Sequence, residues 1–153
     1  MTDTDRMVVW LREAMDAAER DAEAASKDGT PDWYAKEHFA VADAAGEPVV
    51  YDEGRPTPDQ VRHIVRHDPA AVLRRIAADR QQLAQHAAVP DHGRLSDHGA
   101  CDKFGCDDAH EQPTVCRSCR NYAGDPIEAP CPTIENLAEG WGWSEGLKGP
   151  DPR

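Results

Sequence analysis

Apolar residues recur along this chain first at helical spacing, then in alternation, then at helical spacing again. Met7, Leu11, Ala14, Ala18, Ala22 and Ala25 follow one another at three- and four-residue steps. That is one stripe of an amphipathic helix, with Glu13, Asp16, Glu19, Arg20 and Glu23 on its other faces. Val8 and Met15 widen the stripe near its start, and beyond them it is alanine only. Alanine permits close approach but buries little area. The later turns are therefore expected to fray or to pair with a second copy of the chain. Lys27-Asp28-Gly29-Thr30-Pro31 ends the helix.

From Trp33 to Glu53 the period changes. Phe39 and Val41 alternate with Ala40 and Ala42, Asp43-Ala44-Ala45-Gly46-Glu47 turns the chain, and Pro48-Val49-Val50-Tyr51 is β-branched and aromatic. The pattern predicts a β-hairpin with more than two residues in its loop. A lone hairpin is marginal in water, so it is expected to lie on helices through Trp33, Phe39, Val41 and Val50.

Thr57-Pro58-Asp59-Gln60 then announces a helix: a Thr N-cap, Pro in the first turn, and Gln three residues on to close a capping box. Val61, Ile64 and Val65 are its inward set. Asp68-Pro69 stops it and starts a helix to about Ala88, with Val72, Leu73, Ile76, Leu83, Ala84 and Ala87 apolar. Pro132-Thr133 opens a last short helix carrying Ile134, Leu137, Ala138 and Trp141. Trp141 is expected in the core and Trp143 as an exposed contact residue. The pattern gives an α+β fold, mostly helical, with one hairpin and a Cys-rich loop. Residues 1–143 read as one small domain, with helices and hairpin in 1–90 and a metal-binding segment in 91–143. A disordered tail is expected over 144–153.

Composition narrows what such a domain can do. Among 153 residues, 29 are acidic and 17 basic, for a formal charge of −12. That balance opposes whole-surface binding to nucleic acid or anionic membrane and favours solubility or a basic partner. The first residues lack the basic lead and apolar run of a secretory signal. No window approaches the roughly 20 apolar residues that cross a bilayer. A cytoplasmic protein is expected, in host cytoplasm if it is encoded by a phage.

All five cysteines lie between Cys101 and Cys131, in a stretch broken by Gly105, Pro113, Gly124, Pro126 and Pro130. So polar a segment has almost no core of its own, and an odd number of thiols cannot all pair within one chain. In a reducing compartment, clustered cysteines point to metal more often than to disulfides. Cys116-Arg117-Ser118-Cys119 turns two sulfurs to one point, as in a zinc knuckle. Zinc needs two more ligands. The simplest closed set is Cys101, Cys106, Cys116 and Cys119. The alternative joins Cys116, Cys119 and Cys131 to one upstream Cys or His, with His86, His92, His98 and His110 available. One structural Zn2+ ion is the expected cofactor. Redox use of Cys116 and Cys119 would call for a strand–helix setting that the pattern does not show. Catalytic zinc would need an open position and a base, for which only Asp108 and Glu111 are at hand.

Two further features carry weaker signals. His63 and His67 share a helix face, a geometry metals use, though the intervening Ile64, Val65 and Arg66 are not the metalloprotease motif. Arg55, Arg62, Arg66, Arg74, Arg75 and Arg80 make the one basic region of an acidic chain. Such a run is usually a solvated face forming ion pairs within the chain. The alternative is contact with nucleic acid through Arg62, Arg66, Arg74 and Arg75.

The segments VVWLREAMDAAERDAEAAS, EPVVYDEG, HIVRHDPAAVLRRI, CRSC and CPTIENLA resemble, in order, a family of small uncharacterised proteins of actinobacteria and their phages. HDPAAVLRRI and the Cys-Pro-Thr start of the last helix are the most specific pieces. The family has a C-x-x-C and a later Cys-Pro-Thr. The resemblance thus implies Cys116, Cys119 and Cys131 as ligands, leaving Cys101 or Cys106 as the fourth. The family's tail is longer and aromatic, where this chain has LAEGWGWSEG. No activity comes with the resemblance. The expectation is a small non-catalytic zinc-binding accessory protein, of a phage or mobile element, that binds a protein partner. The alternatives are a nucleic-acid-associated regulator or DNA mimic and, third, a metalloenzyme or redox protein.

Overall fold

The computed structural model describes residues 2–26, 30–36, 40–50, 56–91 and 114–144. Phe39, Tyr51, Arg55, Cys101, Cys106, Asp108, Glu111, His92, His98, His110 and the tail from residue 145 lie outside the described residues. Within them the chain forms four helices and two three-stranded antiparallel sheets, an α+β fold. The helices are α1 (Asp3–Ala25), α2 (Pro58–Arg66), α3 (Pro69–Gln85) and α4 (Pro132–Trp141). The strands are β1 (Trp33–Lys36), β2 (Ala40–Asp43), β3 (Pro48–Val50), β4 (Ala88–Pro90), β5 (Thr114–Arg120) and β6 (Pro126–Glu128).

The fold divides into two compact units. One takes in described residues up to Leu11 and from Arg80 onward, the other those from Arg12 to Asp79. In the second unit the sheet order is β1-β2-β3. The expected hairpin is β2–β3, with Val41 facing Val50, and Trp33–Lys36 adds a third strand to it. Its loop closes where Gly46 N–H donates to Asp43 O at 2.9 Å, with Gly46 at φ +87°. The Asp43 carboxylate, 3% exposed, accepts from the N–H of Thr30 at 3.1 Å and of Glu47 at 2.9 Å. Burial alone would raise its pKa. These N–H groups outweigh burial and hold it below the usual 3.8.

The capping box on α2 is present: Thr57 Oγ1 accepts from Gln60 N–H, and Gln60 Oε1 accepts from Thr57 N–H. Val61 of α2 is buried, while Ile64 and Val65 are half-buried. Asp68 begins α3 by accepting Ala71 N–H at 2.6 Å. Its other oxygen takes Trp33 N–H at 3.2 Å, tying β1 to that turn. Ile76 is the fully buried residue of α3 in this unit.

The first unit holds the sheet β4-β5-β6, which the apolar pattern did not reveal. Ala88 faces Cys116, Val89 faces Val115 and Pro90 faces Thr114. Asn121–Asp125 links β5 to β6. Asn121 Oδ1 accepts the N–H groups of Ala123 and Asp125, both at 2.9 Å, and Gly124 sits at φ +91°. On α4, Ile134 and Ala138 are buried. The helix ends in a Schellman turn: Gly142 at φ +97° donates to Glu139 O, and Trp143 N–H reaches Ala138 O at 2.8 Å.

That turn corrects the expectation for Trp143. It is not a free contact residue. It is half-buried, and its ring meets Trp10 edge-on with centroids 5.4 Å apart. Trp10 is 6% exposed. It lies three residues after Met7 and four before Ala14, on the face read from the sequence, and completes that stripe.

Candidate metal centre

Four side chains converge in the unit built around β5. Nδ1 of His86 and the sulfurs of Cys116, Cys119 and Cys131 all lie within 4.8 Å of one another. His86 follows the last residue of α3, and its N–H still donates to Gln82 O at 2.9 Å. The helical turn thus continues through His86 before the chain enters β4. Arg117 N–H donates to Ala87 O at 3.0 Å. With the Ala88–Cys116 pairing, this lays the His86 segment alongside the knuckle.

Cys116 and Cys119 lie where β5 leaves its ladder with β6. Val115 pairs with Glu128 and Arg120 with Pro126, so five steps along β5 span two along β6. The surplus residues carry both cysteines, whose sulfurs turn toward His86. The Arg120 guanidinium holds the bulge by donating to the carbonyls of Cys116 at 3.3 Å and Cys119 at 2.7 Å. Cys131 arrives from the other side as the N-cap of α4. Its backbone oxygen accepts from Ile134 and Glu135, and its thiol makes no capping hydrogen bond. Cys116 and Cys131 are buried and Cys119 half-buried, and all three are free thiols.

The distances decide what holds the group together. His86 Nδ1 is 3.5 Å from Cys116 Sγ, 3.3 Å from Cys119 Sγ and 3.6 Å from Cys131 Sγ. A ring nitrogen carries one proton or one lone pair, so it can satisfy one thiol by hydrogen bonding and not three. Three sulfurs around one nitrogen make instead a ligand set for a cation, and the cluster is consistent with a metal site. Electrostatics point the same way. Burial pushes the Cys116 thiol up, but the N–H groups of Cys119 and Ser118, with His86 and Cys131, pull it down to about 6. Cys119 N–H stands 3.4 Å from that sulfur. Burial and the neighbouring Cys131 and Cys116 sulfurs push Cys119 up to about 11. Without a cation the cluster therefore favours one thiolate and resists a second.

Of the two ligand sets read from the sequence, the described residues assemble Cys116, Cys119 and Cys131 with an upstream histidine. Cys101 and Cys106 lie outside the described residues. His86 was one of four candidate histidines, and its distinguishing signal was its position directly after the last apolar turn of α3. Arg62, Arg66, Arg74 and Arg75 are all exposed, and Arg62 is ion-paired with Asp59. Among the described residues no helix is long and apolar enough to cross a membrane.

No curated protein and no solved structure matches the chain. The model of a family of unknown function, DUF6221, matches residues 4–141, a span that takes in all four converging side chains, and the chain belongs to that family.

Proposed function

We propose that His86, Cys116, Cys119 and Cys131 hold one zinc ion as a structural staple in a small, non-catalytic accessory protein that binds a protein partner. The carrying observation is the set of three sulfur-to-Nδ1 distances, 3.3 to 3.6 Å. Tetrahedral zinc with Zn–S near 2.3 Å and Zn–N near 2.0–2.1 Å sets that separation at about 3.5–3.6 Å. Thiolate and imidazole donors in this number are those of Cys3His structural sites. Four protein donors leave no position for substrate, which favours a structural over a catalytic ion. The ion would join the end of α3, the bulge of β5 and the start of α4.

Free thiols at this density suit a reducing compartment, which supports a cytoplasmic setting. An actinobacterial or phage source rests on the HDPAAVLRRI and Cys-Pro-Thr segments. Native mass spectrometry before and after a strong chelator tests the staple. One zinc per chain is expected, and its removal should expose the region from Thr114 to Trp143 to protease while the α2–α3 region stays resistant. Metal-free, reduced protein that keeps that region protease-resistant would refute the reading. Retention of a protein from lysate by the zinc-loaded chain, lost after chelation, is the expected sign of the partner.

A further inference from the structure

We propose that His63 and His67 form a second, open site for a divalent transition metal such as Ni2+ or Zn2+, on residues of the other unit. His63 lies on α2. His67 follows it, with its N–H donating to His63 O at 3.2 Å and Ile64 O at 3.0 Å, so both imidazoles rise from one continuous helical face. Their ring centroids are 4.6 Å apart, with the planes inclined at 47°. Two imidazoles bound cis in a square or octahedral sphere, with each ring centre about 3.2 Å from the ion, place their centroids about 4.5 Å apart. The ring separation therefore matches that of a cis pair on one ion.

The surroundings leave room for the rest of a coordination sphere. His63 lines an open cavity of about 490 Å³ with Val50, Pro56, Asp59, Gln60 and Ile64. Asp59, one turn before His63, is held by Arg62, so among the described residues the site offers two nitrogen donors, and water or a carboxylate ligand would supply the others. Both histidines are exposed, so the site differs from the closed thiolate cluster in access and in donor softness. Imidazole suits nickel, zinc and copper. Fixing two donors on one helix raises the effective concentration of the second, which makes the pair a chelate where single surface histidines are not.

The test uses the full chain, zinc-loaded and freed of excess metal, titrated with Ni2+ by calorimetry and checked by native mass spectrometry. One nickel equivalent beyond the bound zinc is expected. His63→Gln and His67→Gln should each weaken it about tenfold or more while the zinc count and circular dichroism stay those of the parent. No nickel binding by the parent, or binding that neither substitution weakens, overturns the proposal. The contrast between parent and variants at the histidine pair is read whether or not zinc fills the His86 cluster, so the two assignments fail separately.

Discussion

Replacing His86 with alanine is the sharpest perturbation of the thiolate cluster, because its Nδ1 is within 3.6 Å of every sulfur. Alanine leaves three thiolates and one open vertex. Zinc binding by four-ligand structural sites is worth roughly 10–16 kcal/mol, or about 2.5–4 kcal/mol per donor if shared evenly. Water entering the vertex restores part of that, which places the expected loss near about 100-fold in affinity rather than 1,000-fold. Competition against a chromophoric zinc chelator at fixed pH measures it. His86→Cys, which keeps a donor, should recover most of the loss. Cobalt substituted for zinc reports the geometry independently, as the tetrahedral spectrum of the parent should shift in the alanine variant. Affinity unchanged in His86→Ala would refute His86 as the fourth ligand. Cys101→Ser and Cys106→Ser, measured beside it, should leave affinity at the parental value, and a loss in either would place the fourth donor there.

Metal affinity should fall with pH and fall faster once pH drops through about 6, where Cys116 takes up its proton; chelator competition across pH 5 to 8 reads this as a steepening slope. Gly142→Ala forces a side chain into the left-handed region at φ +97° and should cost about 1–2 kcal/mol, read as a lower Tm with altered Trp143 fluorescence. Asp68→Ala removes both the start of α3 and the acceptor for Trp33 N–H. It should cost about 2–3 kcal/mol in urea unfolding, with Asp68→Asn recovering part.

The parts of the fold legible beforehand were those with local causes. Thr57 to Gln60 carry their capping box within four residues, and Asp68-Pro69 starts α3 with chemistry confined to one turn. The hairpin of β2 and β3 showed in its β-branched residues and the turn at Gly46. The sheet around β5 left no such trace. TVCRSCR does not alternate, because its cysteines face a common point instead of a core, and β4 and β6 are three residues each. The partner of β4 lies 24 to 28 residues away in sequence, from Pro90 and Thr114 to Ala88 and Cys116, which periodicity cannot register. Trp143 was misread for a related reason. A tryptophan after a helix-ending glycine looks exposed until the Schellman turn at Gly142 folds it back onto Trp10.

His86 and Cys131 are separated by 45 positions, and that spacing imposes an order on biosynthesis. At roughly 5–20 residues per second, a ribosome needs about 2–9 s to add Cys131 after His86. During that interval the nascent chain presents an imidazole and up to two of the cluster's thiols, but no complete cage. A chain terminated before Cys131 would never close one. If the proposed ion binds, its capture would therefore require a polypeptide extended at least through Cys131, the residue that precedes the last helix.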